Sequence, residues 1–231
     1  MAKLKLQKIR EYDWRKLFFE LIVVFLGVTA GFLLNNWQLE KQDQRLEKKY
    51  IAGFHQDAIS NIAELEQLIV DDSLWLDQVK SKLVSIQASE ISPDSANAVL
   101  IRIVSISKVD LQTSTYEDIT NSGKLNIISD YNIRQQIVDY HVALAGVKFI
   151  DDYFLKYFSD FVMPFIYNHF SVLNGRLVDP EMRKTTQFEN VVAGYFSMVQ
   201  QRKLAYEKLL EKSNTLKSEL QKIVERKIWD L

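Results

Sequence analysis

The chain has 231 residues, of which 47% are hydrophobic and 26% charged, and it contains no cysteine. This composition excludes a disordered tail, a disulfide scaffold, a zinc-finger protein and a thiol enzyme. A formal net charge of −1 gives no reason to expect nucleic acid as a partner. Seven glycines and three prolines are too few to punctuate a many-stranded β-fold, so the sequence predicts an all-α fold with few, long helices.

The first predicted element is a transmembrane helix over residues 17–37. The stretch from Leu21 to Leu34 carries no charge, and the three apolar residues 17–19 extend it past Glu20. Crossing the hydrocarbon layer takes about 20 residues. Trp14 and Trp37 bracket the run, where amphipathic rings would lie at the two membrane interfaces.

Flanking charges predict how this helix is oriented. Residues 1–16 form a basic segment with six cations against two acids, whereas the 15 residues after Leu34 carry four cations against three acids. The bias places the N-terminus in the cytoplasm and the rest of the chain in the periplasm, as a single-pass protein of the bacterial inner membrane. A cleaved signal peptide ending at Val28-Thr29-Ala30 is the alternative; the apolar run continues past that point and favours an uncleaved anchor.

One face of the predicted span carries small and polar residues at helical spacing: Glu20, Val24, Gly27, Gly31 and Asn35. The GxxxG pair allows another helix to approach closely, and the asparagine can hydrogen-bond across such a contact. We interpret this Glu20–Asn35 face as a helix-packing or oligomer face. Two alternatives stay open: Glu20 reaches the nearby cytoplasmic surface and the glycine spacing is accidental, or Glu20 handles protons or ions.

After the span, apolar residues keep three- and four-residue steps and predict a stalk helix over 38–88, continuous with the anchor and suited to coiled-coil packing. The pair Asp71-Asp72 interrupts this seam and indicates a kink, a polar layer or a helix end. We expect this pair, like Asp151-Asp152, to lie on a solvated face.

Residues 89–231 are predicted to form a helical extramembrane domain that packs with the stalk as an elongated antiparallel bundle. Ser92-Pro93 opens a short helix, and Asp130 caps a long helix over about 130–170 that is bent or interrupted at Pro164. A final helix over 187–227 would bring Trp229 to the membrane interface.

A short helix between these elements has its own boundary signals. Ser114 and Glu117 match a capping box, and Gly123 can end the helix in the left-handed conformation. We expect Arg134 to pair with Glu117 or Asp118 and so pin this helix to the long one.

Nine aromatic residues lie within positions 149–170. Rings on several sides of a helix indicate burial on several sides, and bundle core is the first interpretation. The alternatives are an apolar-ligand pocket, and contact with a partner or the outer membrane leaflet. The pocket would be lined by Phe154, Phe158, Phe161 and Phe165.

Two segments resemble an uncharacterised family of bacterial single-pass membrane proteins. The first segment matches at Glu20, Gly27, Asn36, Trp37, Glu47, Lys48, Tyr50, Asp57 and Asn61. The second matches at Thr115, Tyr116, Ser122, Gly123, Leu125, Arg134, Ile137 and Tyr140. The resemblance implies a membrane anchor with a helical extramembrane domain, and it implies no reaction.

No nucleotide-binding, metalloprotease or hydrolase motif is present, and His55, His141 and His169 lack metal-ligand spacing. We therefore expect no enzyme activity, no cofactor and no metal, and interpret each histidine as a surface or core residue. The sequence favours a structural or interaction protein whose partners are membrane lipid and either further copies of itself or other membrane subunits. The alternatives are a periplasmic sensor or apolar-ligand-binding module acting through a partner chain, and a subunit of an ion-driven complex that uses Glu20.

Overall fold

The computed structural model describes the backbone of residues 14–229 and the side chains of residues 14–225. Within this part of the chain the prediction of an all-α fold is confirmed, since the two strands are only two residues long. The α-helices are α1 (Trp14–Lys80), α2 (Leu83–Gln87), α3 (Pro93–Val104), α4 (Ser114–Asn121), α5 (Tyr131–Tyr157), α6 (Met163–His169) and α7 (Thr186–Trp229). The strands are β1 (Phe170–Ser171) and β2 (Arg176–Leu177), which pair antiparallel.

The chain divides into two compact units between Glu47 and Lys48, inside α1. In the first unit the described residues are a single stretch of helix that includes the whole predicted span. Most of the predicted basic segment, residues 1–13, lies outside the described residues. The predicted single stalk helix over 38–88 is wrong at its end, because α1 stops at Lys80 and a turn separates it from α2.

The second unit contains three long helices: residues 48–80 of α1, together with α5 and α7. Asp72 and Trp75 of α1 contact Arg202 and Tyr195 of α7, so these two helices run antiparallel. Tyr206 of α7 reaches back to Asp151 of α5, and Tyr157 of α5 reaches Asn190, so this pair is antiparallel as well. The predicted antiparallel bundle is confirmed within this unit.

Local signals account for most helix boundaries. The Ser92 hydroxyl accepts from the Ser95 backbone N–H at 3.2 Å, and the Asp130 carboxylate accepts from the first N–H groups of α5. Gly123 has φ of +67° and ends α4 as predicted. The capping box is wrong: α4 begins one residue after Thr113, whose hydroxyl donates to Glu117 at 2.7 Å.

The long aromatic helix is interrupted before its proline. Residues Phe158–Val162 form a π-helical turn in which the Met163 N–H bonds to the Phe158 carbonyl. Pro164 lacks an N–H and its ring crowds the preceding turn, so the widened turn accommodates it. The segment between α6 and α7 contains the β1–β2 hairpin and a 3-10 turn over Pro180–Lys184.

The apolar core lies among α1, α3, α5, α6 and α7 of the second unit. Its large side chains are almost fully enclosed, including Phe154, Phe165, Phe188, Leu100 and Ile103. Trp75 packs edge-on against Tyr195 with ring centroids 4.8 Å apart. Burial of this surface is the main term that holds the unit together.

Candidate functional site

The first candidate site is the apolar part of α1. Among the described residues α1 is the one helix long and apolar enough to span a membrane, and none of its 18-residue apolar window is buried within the chain. Fourteen large apolar side chains from Leu17 to Leu39 are exposed on all sides of the helix. A helix that is hydrophobic all round is normally buried on every side, either in a protein core or in a membrane.

The Glu20–Asn35 face lies within this helix. Glu20, Val24, Gly27, Gly31 and Asn35 are all exposed. A methyl group at either glycine would meet nothing within 4 Å among the described residues. Glycine inside a helix costs about 0.5–1 kcal/mol relative to alanine, and no contact in the described part of the chain requires it here. Close approach of something outside the chain would explain both glycines.

Tryptophans stand at the two ends of the apolar stretch. Trp14 and Trp37 are both exposed, and the 23 helical steps from one to the other correspond to about 35 Å. That separation fits a hydrocarbon core of about 30 Å with an interfacial ring at each side. The third predicted interface residue, Trp229, lies outside the residues whose side chains are described.

A second cluster lies in the second unit, where α1 meets α4 and α5. Asn61, which is fully buried, donates to the Gln112 carbonyl at 3.0 Å and to the Tyr140 hydroxyl at 2.9 Å, and accepts from the Gln112 N–H at 2.6 Å. Beside it the Asp57 carboxylate accepts from the Thr115 N–H at 3.3 Å. These hydrogen bonds join the two sequence segments that carry the family resemblance and fix the connection before α4 against α1.

His141 lies next to this cluster and is a core residue. Its ring stacks on Tyr116 with centroids 3.9 Å apart and meets Phe54 edge-on. Burial lowers the pKa of His141 to about 4, and the charge of Lys148 adds to this effect. The described residues contain no group of three potential metal-ligating side chains. A neutral, enclosed ring of this kind contributes packing.

The predicted ion pair of Arg134 is wrong. The guanidinium donates to the Ile128 carbonyl at 3.2 Å and lies over the Tyr131 ring, 5.6 Å from its centroid. Asp118 instead accepts from the Tyr50 hydroxyl at 3.0 Å. Arg134 therefore stabilises the start of its own helix, and α4 is held to α1 through Asp118.

Sequence analysis missed a buried charge network around Arg202. Its guanidinium donates to both carboxylate oxygens of Asp72, at 2.5 and 3.1 Å, and to the Ser107 carbonyl at 3.1 Å. Asp151 accepts from the Tyr206 hydroxyl at 2.7 Å and lies 3.8 Å from the Arg202 guanidinium. Burial raises the pKa of Asp72, against the lowering effect of Arg202.

The expectation that both acid pairs lie on solvated faces is therefore wrong for one member of each. Asp72 and Asp151 are buried, whereas Asp152 is exposed. The polar-layer interpretation of Asp71-Asp72 fits what is found. A signal was present in α7, where Arg202 continues the core spacing from Val199 to Tyr206.

The four phenylalanines of the predicted apolar pocket are dispersed. Phe154 and Phe165 are enclosed in the core, and Phe158 is half-buried against it. Phe161 points outward with 63% of its surface exposed. These rings therefore do not line one common cavity, and their arrangement matches the bundle-core interpretation.

No family model, no curated protein and no solved structure matches this chain.

Proposed function

We propose that this chain is a membrane-anchored helical interaction protein, which self-associates or joins a larger membrane complex through the Glu20–Asn35 face. The observation that carries the proposal is the uncovered apolar helix over residues 17–39. We place the N-terminus in the cytoplasm and the second unit in the periplasm, on the basis of the flanking charges.

The energy of covering this helix supports the proposal. Burying an apolar side chain contributes about 1.5–3 kcal/mol, so covering fourteen of them is worth on the order of 20 kcal/mol. That exceeds the whole stability of an ordinary domain, about 5–15 kcal/mol. The bare helix in water is thus not the functional state, and a lipid bilayer covers all of its sides at once.

Paired substitutions test the packing face. Gly27→Leu with Gly31→Leu places two bulky side chains on the face without lowering its hydropathy, and should weaken self-association of the full chain in detergent. Phe25→Leu with Thr29→Leu is the matched control, with the same spacing on the opposite side of the helix. Sedimentation of labelled protein measures the association. An oligomer unchanged by the glycine pair, or weakened equally by the control pair, removes this face from the proposal.

The absence of cysteine makes the topology directly testable. In intact cells a membrane-impermeant maleimide should label Ala52→Cys, an exposed position in the second unit, and should leave Ala2→Cys unlabelled until the membrane is opened. The reverse pattern would invert the orientation. Labelling of both positions in intact cells would rule out a membrane crossing.

A substitution at Glu20 distinguishes a role in helix packing from a role in proton or ion transfer. A packing role predicts that Glu20→Gln weakens association, because the amide lacks the charge that seeks a partner in lipid. Intact association with loss of the complex's activity would instead assign the carboxylate to proton or ion transfer.

A further inference from the structure

A cleft of about 400 Å³ lies between α5 and α7 in the second unit. We call it the α5–α7 cleft. Two of its lining residues, Tyr140 and Leu216, are buried and give it an apolar floor, whereas its charged lining residues are exposed. Ligand sites usually measure about 300–1,000 Å³ and combine an apolar lining with a few polar groups. The cleft has both the volume and the mixed lining of a small-molecule site.

Charges of both signs line the cleft: Asp139 on α5, and Lys208, Glu211 and Lys212 on α7. None of these four side chains makes an ion pair or a hydrogen bond with another described residue. By contrast, Lys203 and Glu207, about one turn earlier on α7, pair with each other at 2.8 Å. Opposite charges that share one cleft without pairing leave both signs available to a ligand.

An amide group adds a third kind of polar contact. Gln136 lines the cleft, and its side-chain oxygen is enclosed but has no hydrogen-bond partner among the described residues. The neighbouring Tyr140 hydroxyl is engaged elsewhere, since it accepts from Asn61 at 2.9 Å. An enclosed acceptor is unfavourable unless a donor reaches it. An N–H group of a ligand in the cleft would supply that donor.

The cleft continues into a second cavity, which is apolar. That cavity measures about 250 Å³ and shares Lys208 and Lys212 with the cleft. It is also lined by Gly146, where an added side chain would meet nothing within 4 Å among the described residues. On α5 the cleft is lined from residues 136–140, and the apolar cavity from residues 143–150. The two lysines therefore stand between the amide and carboxylate of α5 at one end and an apolar groove at the other.

The volume of the cleft sets the size of the ligand. A cavity of about 150 Å³ holds one benzene ring, so about 400 Å³ holds a molecule of about 16 non-hydrogen atoms. That is the size of a dipeptide with apolar side chains, and a single amino acid fills about half of the space. A simple anion would leave Asp139 and Gln136 unused, and a simple cation would leave the lysines unused. A dipeptide carries an ammonium group, an amide N–H and a carboxylate in one molecule.

We propose that the α5–α7 cleft binds a dipeptide that has a free amino group and a free carboxylate. The ammonium group pairs with Asp139, and the peptide N–H donates to Gln136. The carboxylate lies between Lys208 and Lys212. The side chain of the second residue enters the apolar cavity, and that of the first lies on the floor of the cleft. The inference does not depend on the membrane anchor or on self-association.

Calorimetric titration of the full chain in lipid nanodiscs tests the proposal, with dileucine as the probe. Dileucine should bind at least about tenfold more tightly than N-acetyl-dileucine, dileucine amide or free leucine. Acetylation removes the ammonium group, amidation removes the carboxylate, and leucine lacks the amide N–H. Absence of dileucine binding would overturn the proposal, and so would equal affinity for the free and the blocked peptides.

An isosteric substitution tests the ammonium contact. Asp139→Asn should weaken dileucine binding at least about tenfold and should narrow the difference between dileucine and N-acetyl-dileucine. Asp152→Asn is the matched control, because Asp152 is an exposed acid on the same helix that does not line the cleft. Lys208→Met with Lys212→Met should likewise narrow the difference between dileucine and its amide. Equal effects of Asp139→Asn and Asp152→Asn would refute the assignment.

The Gln136 contact is tested by changing the ligand and the protein together. Dileucine with an N-methylated peptide bond lacks the N–H and should bind the natural chain about fivefold more weakly than dileucine. The Gln136→Met variant should bind the two peptides equally. A penalty for N-methylation that persists in this variant would contradict the contact. Sedimentation of the same samples reports on self-association separately, so failure of peptide binding and failure of the proposed function give different results.

Discussion

Replacing Arg202 by methionine gives the sharpest test of how the second unit is stabilised. Methionine keeps the apolar stem that packs near Phe154 but removes every donor to Asp72 and to the Ser107 carbonyl. Asp72 would then be a buried carboxylate without a counter-charge. Removing one partner of a buried ion pair costs about 3–5 kcal/mol, and we expect that loss in the free energy of unfolding.

Urea unfolding of the detergent-solubilised chain, followed by circular dichroism, measures this loss. Lys203→Met is the matched control: the adjacent residue makes a solvent-exposed pair with Glu207 at 2.8 Å, and its loss should cost at most about 0.5 kcal/mol. Adding Asp72→Leu to Arg202→Met should restore at least about 1.5 kcal/mol, because the unpaired charge of Asp72 is removed while Asp151 keeps its hydrogen bond from Tyr206. A deficit in Arg202→Met no larger than that of the control would refute the buried network.

The free energy of unfolding of Arg202→Met should depend on pH in a direction that the structure defines. Burial raises the pKa of Asp72 above 3.8, and Arg202 opposes that shift. Without the guanidinium the folded state holds the Asp72 proton up to a higher pH than the unfolded chain does, so stability rises as pH falls. The deficit of Arg202→Met should therefore shrink from pH 7 to pH 5. A deficit that stays constant over this range would contradict the assignment.

Four further substitutions test other parts of the fold by the same unfolding measurement. Gly146→Ala should stabilise the chain by about 0.5–1 kcal/mol, whereas Gly194→Ala should destabilise it because its methyl group collides with the Tyr157 hydroxyl; equal effects would contradict the packing at both sites. Asn61→Ala should cost about 2–3 kcal/mol, since it removes one buried and two part-buried hydrogen bonds and takes away the Asn61 partners of the Gln112 N–H and carbonyl. His141→Phe should gain stability relative to the natural chain as pH falls from 6.5 to 4, because the unfolded state takes up the histidine proton in that window while the folded state excludes it; a difference independent of pH would show that His141 is not held neutral.

Features that depend on neighbouring residues were predictable. The long apolar helix follows from an apolar run broken only at Glu20, and the caps at Ser92 and Asp130 follow from side chains that bond to backbone N–H groups two or three residues away. The capping box failed by one position, because the N-cap residue is Thr113 and its side chain makes no capping bond. The Thr115 N–H at the start of α4 bonds instead to the Asp57 carboxylate of α1, a tertiary contact that local sequence does not reveal.

The sequence by itself determined that this protein is helical, that it has few breaks, and that one helix is apolar on every side. Those properties depend on composition and on spacing along one helix. Only the tertiary structure decided that Asp72 is buried with Arg202 while Asp152 is exposed, and that Phe154 is core while Phe149 faces outward. Neighbouring residues of a helix point about 100° apart, and which direction is inside depends on where the other helices lie.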